Sequence, residues 1–224
     1  MTKQEFSIEF DILFNNLASN AAPPLNEYEK SVFLTKAQSD IVLELYSGRN
    51  NLGLAFESSE EVREYLSDLL AGFQGEIDHG SNPITVSPPS NIWLITSEDI
   101  DGIPVIPVTQ DEYHKIKNNP FRKGNSHRAI RVDIGEGSSF LDYPGLTDES
   151  VYSVRGLRYP DPIILTGIDD RTLSIDGKLV SESNDPDSQG SSLHQSIHRM
   201  ILERAVLYAK QAYVGGQAQR AQQE

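Results

Sequence analysis

Few residues of this 224-residue chain have types and spacings that could support chemistry. His194 and His198 stand at i and i+4 of a predicted helix, so both could face one metal ion. The residues between them are Gln195-Ser196-Ile197, which lack the glutamate of an H-E-x-x-H pattern, and no third ligand is evident. We interpret the pair as two partly exposed histidines on a helix, and the sequence predicts no metal site.

The carboxylates show no better pattern. Asp99 and Asp101 before Gly102 resemble part of a calcium loop, but the bidentate glutamate that such a loop needs is missing, so we interpret them as a turn. Asp169 and Asp170 are adjacent, and on a strand they would point to opposite faces. They therefore make a poor acid/base pair.

Nucleophile and phosphate motifs are also missing. The sequence has no G-x-S-x-G elbow and no P-loop, and the glycine pair within 135–138 carries a carboxylate, so we interpret it as a turn. Because there is no cysteine, disulfides, thiolate nucleophiles and cysteine-bound zinc are excluded. The sequence predicts no catalytic residue, no cofactor and no enzymatic activity.

A basic cluster stands out in an otherwise acidic chain. It consists of Arg122, Lys123, His127, Arg128 and Arg131. One interpretation is an electrostatic contact with an acidic partner surface, for instance that of a neighbouring copy. The other is a solvated loop and strand face. Contact with DNA ranks third.

The overall charge is strongly negative, with 33 Asp and Glu against 19 Lys and Arg, for a formal net charge of −14. Such a surface repels nucleic acid as a whole, because DNA affinity depends on cations that displace counterions. The charge suits either a soluble surface or one past which DNA must slide without sticking. No window of 18 apolar residues predicts a membrane span, and the N-terminus does not resemble a signal peptide, so we expect synthesis and retention in the cytoplasm or in a particle assembled there.

Four segments place apolar residues at helical spacing. They run from Phe6 to Leu17, from about 27 to 47, from Val62 to Phe73, and from Leu193 to Val214. Capping pairs precede them, namely Thr2 with Glu5, Asn26 with Glu29, Ser58 with Glu61 and Ser192 with Gln195. Glycines follow the last three, at Gly48, Gly75 and Gly215-Gly216.

The middle of the chain predicts strands instead. They are expected at 92–95, 103–108, 129–134, 151–159, 163–165 and 172–175. A short helix should follow the cap Thr109, and Asp176-Gly177 is a tight-turn signal. Residues 18–25, 78–90 and 181–192 have the composition of connectors or loops.

The predicted fold class is therefore α+β. Three N-terminal helices and the long C-terminal helix should form a helical bundle from segments 1–75 and 191–214. A β-rich region, 91–180, should be inserted into this bundle. Residues 215–224 contain no large apolar side chain and should form a flexible tail.

Three stretches together resemble a known family. They are NEYEKSVFLTKAQ at 26–38, VTQDEYHKI at 108–116 with NPFR at 119–122, and YPDPIIL at 159–165 followed by LH at 193–194 and IHRMILERAV at 197–206. In this order they are similar to the virion structural proteins of crAss-like phages that form head–tail ring assemblies. The last stretch also looks like other podophage adaptor proteins.

The resemblance implies a non-enzymatic structural subunit of the portal vertex or tail neck. Such a subunit would form a ring of about twelve copies with itself, dock below the portal, contact other neck and tail ring proteins, and extend a channel through which DNA passes without specific binding. The alternatives are a virion ring further from the portal, a particle-associated enzyme, or a packaging factor that binds DNA.

A ring subunit needs two complementary surfaces. As candidate contacts with the next subunit or the portal we select Arg122, Lys123, Arg128, Arg131, His194, His198, Arg199, Arg204, Tyr213 and Arg220.

Overall fold

A computed structural model describes residues 1–17, 24–49, 53–81, 83–135, 138–168, 172–180 and 188–221. The chain divides into two compact units. We call Met1–Leu69 with Pro160–Glu224 the helical unit, and Leu70–Tyr159 the sheet unit.

The helical unit contains α1 (Lys3–Leu17), α2 (Glu27–Ser47), the short α3 (Glu60–Tyr65) and α5 (His198–Ala221). Two predicted capping boxes are confirmed. The amide of Thr2 donates to Glu5 Oε2 at 2.8 Å and the amide of Glu5 donates to Thr2 Oγ1 at 3.2 Å. Asn26 and Glu29 make the same exchange at 2.8 and 2.9 Å. Gly48 ends α2 in the left-handed conformation, at φ 74°.

α5 packs against both α1 and α2. Their facing stripes form a core of fully buried side chains, which includes Phe6, Phe10, Leu34, Ile41, Leu45, Ile201, Leu202 and Ala205. Polar pairs fix the register of α2 on α5. Arg204 binds Glu44 through two bonds of 2.6 and 2.9 Å, and the Tyr208 hydroxyl donates to Asp40 at 2.7 Å.

A buried polar stripe on α2 holds the segment 161–165. Ser31, Thr35 and Gln38 are each at most 2% exposed. Ser31 Oγ accepts from the amide of Leu165 at 3.0 Å, Thr35 Oγ1 accepts from the amide of Ile163 at 3.1 Å, and Gln38 Nε2 donates to the carbonyl of Asp161 at 2.7 Å. The prediction of a strand at 163–165 is therefore wrong. The segment satisfies its backbone on helix side chains instead of on a neighbouring strand.

The sheet unit contains eight strands and α4 (Gln110–Ile116). The strands are β1 (Leu70–Gln74), β2 (Glu76–Asp78), β3 (Thr85–Ser87), β4 (Ile92–Ile100), β5 (Ile103–Val108), β6 (Ala129–Gly135), β7 (Ser138–Asp142) and β8 (Tyr152–Arg158). Their order across the sheet is β1-β8-β4-β5-β6-β7-β3-β2. All neighbours pair antiparallel except β5 and β6, which are parallel and joined by the crossover that contains α4.

The sheet closes on itself. β1 and β2 lie at opposite ends of the strand order, yet only Gly75 separates them along the chain. One bent segment therefore completes both edges. Gly75 donates its amide to the carbonyl of Tyr152 at 2.9 Å, and a Cβ at this position would lie 2.4 Å from Cδ1 of the Tyr152 ring. Inside the curl lies a core of Val86, Ile100, Val105, Ala129, Leu141, Tyr152 and Val154.

The predicted fold class, a helical bundle with an inserted β-region, is wrong. The chain contains an eight-stranded, nearly closed sheet, and α3 ends at Tyr65 instead of forming a third bundle helix. The apolar residues expected on that helix, Leu70 and Phe73, lie on β1 and pair with β8. Helix preference is a weak bias that tertiary pairing overrides, and Gly72 and Gly75 weaken it further here.

Other local predictions have mixed outcomes. The strands at 92–95, 103–108, 129–134 and 151–159 are confirmed, as is the Thr109 cap, whose Oγ1 accepts from the amide of Glu112 at 3.3 Å. Asp176 and Gly177 form the predicted turn, with φ of 46° and 79°, between β9 (Ser174–Ile175) and β10 (Lys178–Leu179). The strands β2, β3 and β7 have no counterpart in the prediction.

The long C-terminal helix also differs from its prediction at both ends. His194, instead of Ser192, caps the 3₁₀ turn Gln195–Ile197 that leads into α5. α5 then continues to Ala221, past the glycine pair at 215–216 where we expected it to end. Glycine lowers helix stability by about 1 kcal/mol relative to alanine but does not forbid the conformation. Of the predicted loop at 181–192, residues 181–187 lie outside the described residues, as do Asp169 and Asp170.

Replacement of Gly75 by alanine tests the closure of the sheet. The new methyl would overlap the Tyr152 ring and the carbonyl oxygen of Ser87, so Gly75→Ala should lower the free energy of unfolding by about 1–3 kcal/mol. Gly72→Ala is the matched control, because this glycine lies on the adjacent strand β1 and a Cβ there meets no atom within 4 Å. Equal losses for the two variants in denaturant titrations would contradict the proposed role of Gly75.

Candidate subunit interface

The basic cluster lies mainly on one loop, which we call the basic loop and define as residues 119–128. It connects α4 to β6 and completes the crossover that the parallel pairing of β5 and β6 requires. It contains three Lys or Arg residues, one histidine and no carboxylate.

Local hydrogen bonds give the basic loop a defined shape. The Asn119 side chain accepts from the amide of Phe121, and its carbonyl accepts from the amides of Arg122 and Lys123, all at 3.0 Å. Asn125 and Arg128 exchange backbone bonds of 2.9 and 3.2 Å. These bonds therefore hold the basic loop in a defined turn conformation.

Gly124 packs the loop against β7. A Cβ at this position would lie 1.9 Å from the carbonyl oxygen of Asp142, which only glycine can tolerate. The amide of Gly124 faces the Asp142 carboxylate at 3.4 Å. Backbone contact thus anchors the middle of the loop to the sheet.

The tip of the basic loop presents one aromatic and two cationic side chains. Phe121 is 87% exposed, the highest value among the exposed large apolar residues. Arg122 and Lys123 are exposed, and neither forms an ion pair with another described residue. A large aromatic side chain beside unpaired cations on a preorganised loop is typical of a protein-binding surface.

Arg128 holds the backbone of this tip through a hydrogen bond. Its Nη2 donates to the carbonyl of Phe121, while its Nε is buried and has no hydrogen-bond partner among the described residues. Beside it lies a cavity of about 270 Å³ that is lined by Ile106, Val108, Glu112, Ile116, Arg122, Arg128 and Ile130. Arg128 and Arg122 therefore share one surface, as the sequence suggested.

Arg131 lies apart from this surface. It is 8% exposed, and its Nε lies 2.9 Å from Oε2 of Glu98 on β4. The same Glu98 oxygen accepts from the Tyr152 hydroxyl on β8 at 2.7 Å. Desolvation, together with the bond to Glu98, raises the pKa of Tyr152. The network joins β4, β6 and β8 inside the sheet unit, so Arg131 belongs to a buried polar network of the sheet.

The remaining candidates belong to the helical unit. Arg199 is exposed and pairs with Glu203 at 3.1 Å, one turn along α5. Arg204 is hydrogen-bonded to Glu44, and this bond raises the pKa of the Arg204 guanidinium. Tyr213 lines an apolar cavity of about 340 Å³ between α1, α2 and α5. Arg220 lies beyond the last residue whose side chain is described.

The two histidines do not form a shared metal face. His194 is half-buried and stacks on Tyr65, with ring centroids 6.4 Å apart. His198 is 1% exposed, so the expectation of two partly exposed histidines is wrong for this residue. Among the described residues, no group of three or more His, Cys, Asp or Glu is placed to hold a metal ion.

Burial and specific partners define the state of His198. Its Nε2 donates to the carbonyl of Leu193 at 2.8 Å, which leaves Nδ1 to accept from the N-terminal amino group of Met1 at 2.7 Å. Desolvation is the main cause that lowers the pKa of His198, and the bond to Leu193 opposes it. In its neutral form, the His198 side chain therefore connects the start of α5 to the N-terminal segment.

The turn interpretation of Asp99 and Asp101 is confirmed. Asp101 and Gly102 have φ of 52° and 80° and form the tight connection between β4 and β5. Asp99 Oδ2 accepts from the amide of Gly102 at 3.2 Å. Asp101 Oδ1 accepts from the amide of Val151 at 2.9 Å, a bond that also lowers its pKa. The glycine pair of 135–138 is partly outside the described residues.

Comparison with known proteins decides the family. Residues 1–221 match the family described as "Phage tail ring protein 3/4". This chain belongs to that family. "Ring protein 3" of Bacteroides phage crAss001 is 36% identical over 228 residues, which cover 93% of this chain and 95% of the relative. "Ring protein 4/5" of the same phage is 33% identical over 233 residues, which cover 96% and 94%.

Membership in the tail ring family confirms the resemblance to crAss-like phage ring proteins and assigns a structural role in a virion ring. It also explains the absence of a recognisable catalytic motif, because ring assembly depends on surfaces. The helices of the described residues include none long and apolar enough to cross a membrane. Sequence reasoning missed Phe121, although a large aromatic directly after Asn-Pro in a polar loop could have drawn attention to it.

Arg131 and Arg122 should respond very differently to substitution. Arg131→Met leaves the Glu98 carboxylate buried without its cation, and should lower the free energy of unfolding by about 3 kcal/mol. Arg122→Met removes an exposed cation and should change it by no more than about 0.5 kcal/mol. Denaturant titrations at neutral pH measure both. Similarly small changes in the free energy of unfolding for the two variants would contradict the buried ion pair of Arg131.

His198 should make stability depend on pH. In the unfolded chain a histidine has a pKa of about 6.5, and in the folded protein the pKa of His198 is lower. As the pH falls from about 7 towards 5, the unfolded state binds the proton first, so stability decreases. The unfolding free energy of His198→Asn should therefore change less over this range than that of the wild type. His127→Asn, in the exposed part of the basic loop, should retain the full dependence.

Proposed function

We propose that this protein assembles with copies of itself into a closed ring that surrounds the path of DNA between the phage head and the tail. In this proposal it has no enzymatic role. The observation that carries the proposal is the match to tail ring proteins over residues 1–221, together with two relatives named as ring proteins that align with more than nine-tenths of this chain.

The geometry of the basic loop supports self-assembly. A cyclic ring with more than two copies uses heterologous contacts, in which one patch meets a different patch on the next copy. The basic loop offers a compact cationic patch with an aromatic anchor, while the rest of the chain is strongly acidic. The cationic patch of one copy would attract the acidic surface of the next copy, as head-to-tail association requires.

The net charge of −14 supports a passive relation to DNA. A ring wall rich in carboxylates repels the phosphate backbone, so DNA can move through without being held. We expect about twelve copies, as the ring symmetry of a portal vertex would template. Salt-sensitive binding of duplex DNA by the free protein would contradict this part of the proposal.

The level of the ring is the finer part of the proposal. We propose a position directly below the portal, where the ring would join head to tail and offer a docking surface to further neck and tail proteins. The second candidate is a ring further from the portal, and the family description as tail ring proteins supports it.

Binding to the portal distinguishes the two positions. The purified protein should be mixed with preassembled portal from the same phage, and the bound stoichiometry determined by native mass measurement. Saturation at one copy per portal subunit supports the portal-adjacent ring. Absence of binding rejects that position, and the same measurement with portal that already carries other neck proteins then tests the lower ring. A protein that forms no closed oligomer alone or on either platform would contradict a ring function.

A further inference from the structure

The carboxylates of the helical unit are not evenly distributed. Between Glu57 and Asp68 the chain carries five acidic residues and a single cation, Arg63. All five carboxylate side chains are exposed. We call this surface the acidic face and define it by Glu57, Glu60, Glu61, Glu64 and Asp68.

Local structure holds the acidic face in place. Its backbone forms the 3₁₀ turn Phe56–Ser58 and α3, and Ser59 caps α3 by accepting from the amide of Val62 at 3.4 Å. Phe56, Val62 and Leu66 are buried beneath it. The carboxylates therefore stand on a packed base, and Glu60 and Glu64 lie one turn apart on the same side of α3.

We infer that the acidic face of one copy is the docking surface for the basic loop of the next copy, so that these two patches form the repeating contact of the ring. The inference rests on the proposed ring function and deepens it. It commits to a second copy of this chain as the partner, because the chain itself supplies both charges on separate, preorganised surfaces.

Charge complementarity is the first argument. The basic loop contributes Arg122, Lys123 and Arg128 with no carboxylate, and the acidic face contributes five carboxylates with one cation. Neither Arg122 nor Lys123 has an ion-pair partner among the described residues. A contact between the two patches neutralises both, and opposed charges fix register and exclude wrong partners.

The second argument is the aromatic anchor. Phe121 is 87% exposed on a loop whose shape its own hydrogen bonds define, so burial against a neighbour requires little further ordering. Next to Glu64 of the acidic face lies the half-buried ring of Tyr65, which stacks on His194 and donates its hydroxyl to Glu61. An aromatic pair surrounded by charge pairs is a common arrangement at the centre of protein interfaces.

Each copy carries one basic loop and one acidic face, and the patches differ from one another. In the inferred contact the basic loop of one copy meets the acidic face of the next, which is a heterologous association, and such an association forms a ring where the rotation between copies closes.

Charge reversal tests the contact. The first variant is Arg122→Glu/Lys123→Glu, and the second is Glu60→Lys/Glu64→Lys. Each alone places like charges opposite one another, so the protein concentration needed for half-maximal assembly should rise at least about tenfold. An equimolar mixture of the two should regain assembly as an alternating ring, because each variant then meets the opposite charge on its neighbour. Sedimentation and native mass measurement at low salt follow the species.

Three controls make the outcome decisive. Lys115→Glu/Arg155→Glu changes the net charge by the same amount as the first variant, at exposed positions outside the basic loop, and should assemble like the wild type. Phe121→Ala should weaken assembly without a change in the unfolding midpoint. Circular dichroism and thermal unfolding confirm that every variant is folded.

The contrary results separate this inference from the ring itself. If the wild type forms a ring and both reversed variants do so equally well, or if the mixture of folded variants fails to recover, the contact is wrong while the ring function stands. If the reversed basic loop loses salt-sensitive DNA binding and retains the ring, the loop is a nucleic-acid contact instead. If the wild type forms no ring at all, the proposed function fails, and this contact fails with it.

Discussion

The closure of the eight-stranded sheet is the constraint on which the sheet unit depends. A single segment, 70–78, supplies the last strand at both ends of the sheet, and it turns from one end to the other at Gly75. Closure requires a sharp bend at Gly75, a position that no larger residue could occupy against Tyr152. It also encloses the network of Glu98, Arg131 and Tyr152, so that two charged groups are paired away from water. The same arrangement holds β5 and β6 in parallel and thereby sets the two ends of the crossover that carries the basic loop.

The helical unit depends on a different device, a polar stripe on a buried face. Ser31, Thr35 and Gln38 take the place of a neighbouring strand for the backbone at 161–165, and Ser191 adds a bond of 2.6 Å to Gln38. Buried polar groups are stable when each has a partner, and a set of such groups specifies one arrangement over its near alternatives. This contact joins two of the stretches that carry the family resemblance, 26–38 and 159–165. Their order along the chain is therefore linked to a physical contact between them.

A virion ring protein has a structural role. In the proposed ring, the molecule presents a pair of surfaces of opposite charge, each held by its own unit. Electrostatic pairs contribute register and partner choice more than affinity, and exposed pairs are weakened by salt. A closed ring is more stable than a single modest contact would suggest, because every subunit of the ring takes part in two interfaces. An acidic chain with one preorganised cationic loop meets these requirements with few residues.

The sequence by itself determined much of the local structure. Two of the four capping pairs, the Asp176-Gly177 turn and the strands with clear alternation were predicted correctly from local signals, since the residues that create them lie within a few positions of one another. Composition also predicted no membrane-spanning segment, and the three stretches in their order indicated the ring family. The sequence showed the basic cluster as a concentration of positive charge, but it did not show which of its residues are buried and which are exposed.

Only the tertiary structure decided which of these signals would prevail. Leu70 and Phe73 suit one helix face and also a strand, and pairing with β8 selected the strand. Arg131 and Arg122 look alike in sequence, yet one is buried against Glu98 and the other is exposed, because burial depends on strands that are distant along the chain. His198 became a core residue for the same reason. Local preferences are worth a few tenths of a kcal/mol to about 1 kcal/mol per residue, whereas the contacts that overrule them involve many residues at once.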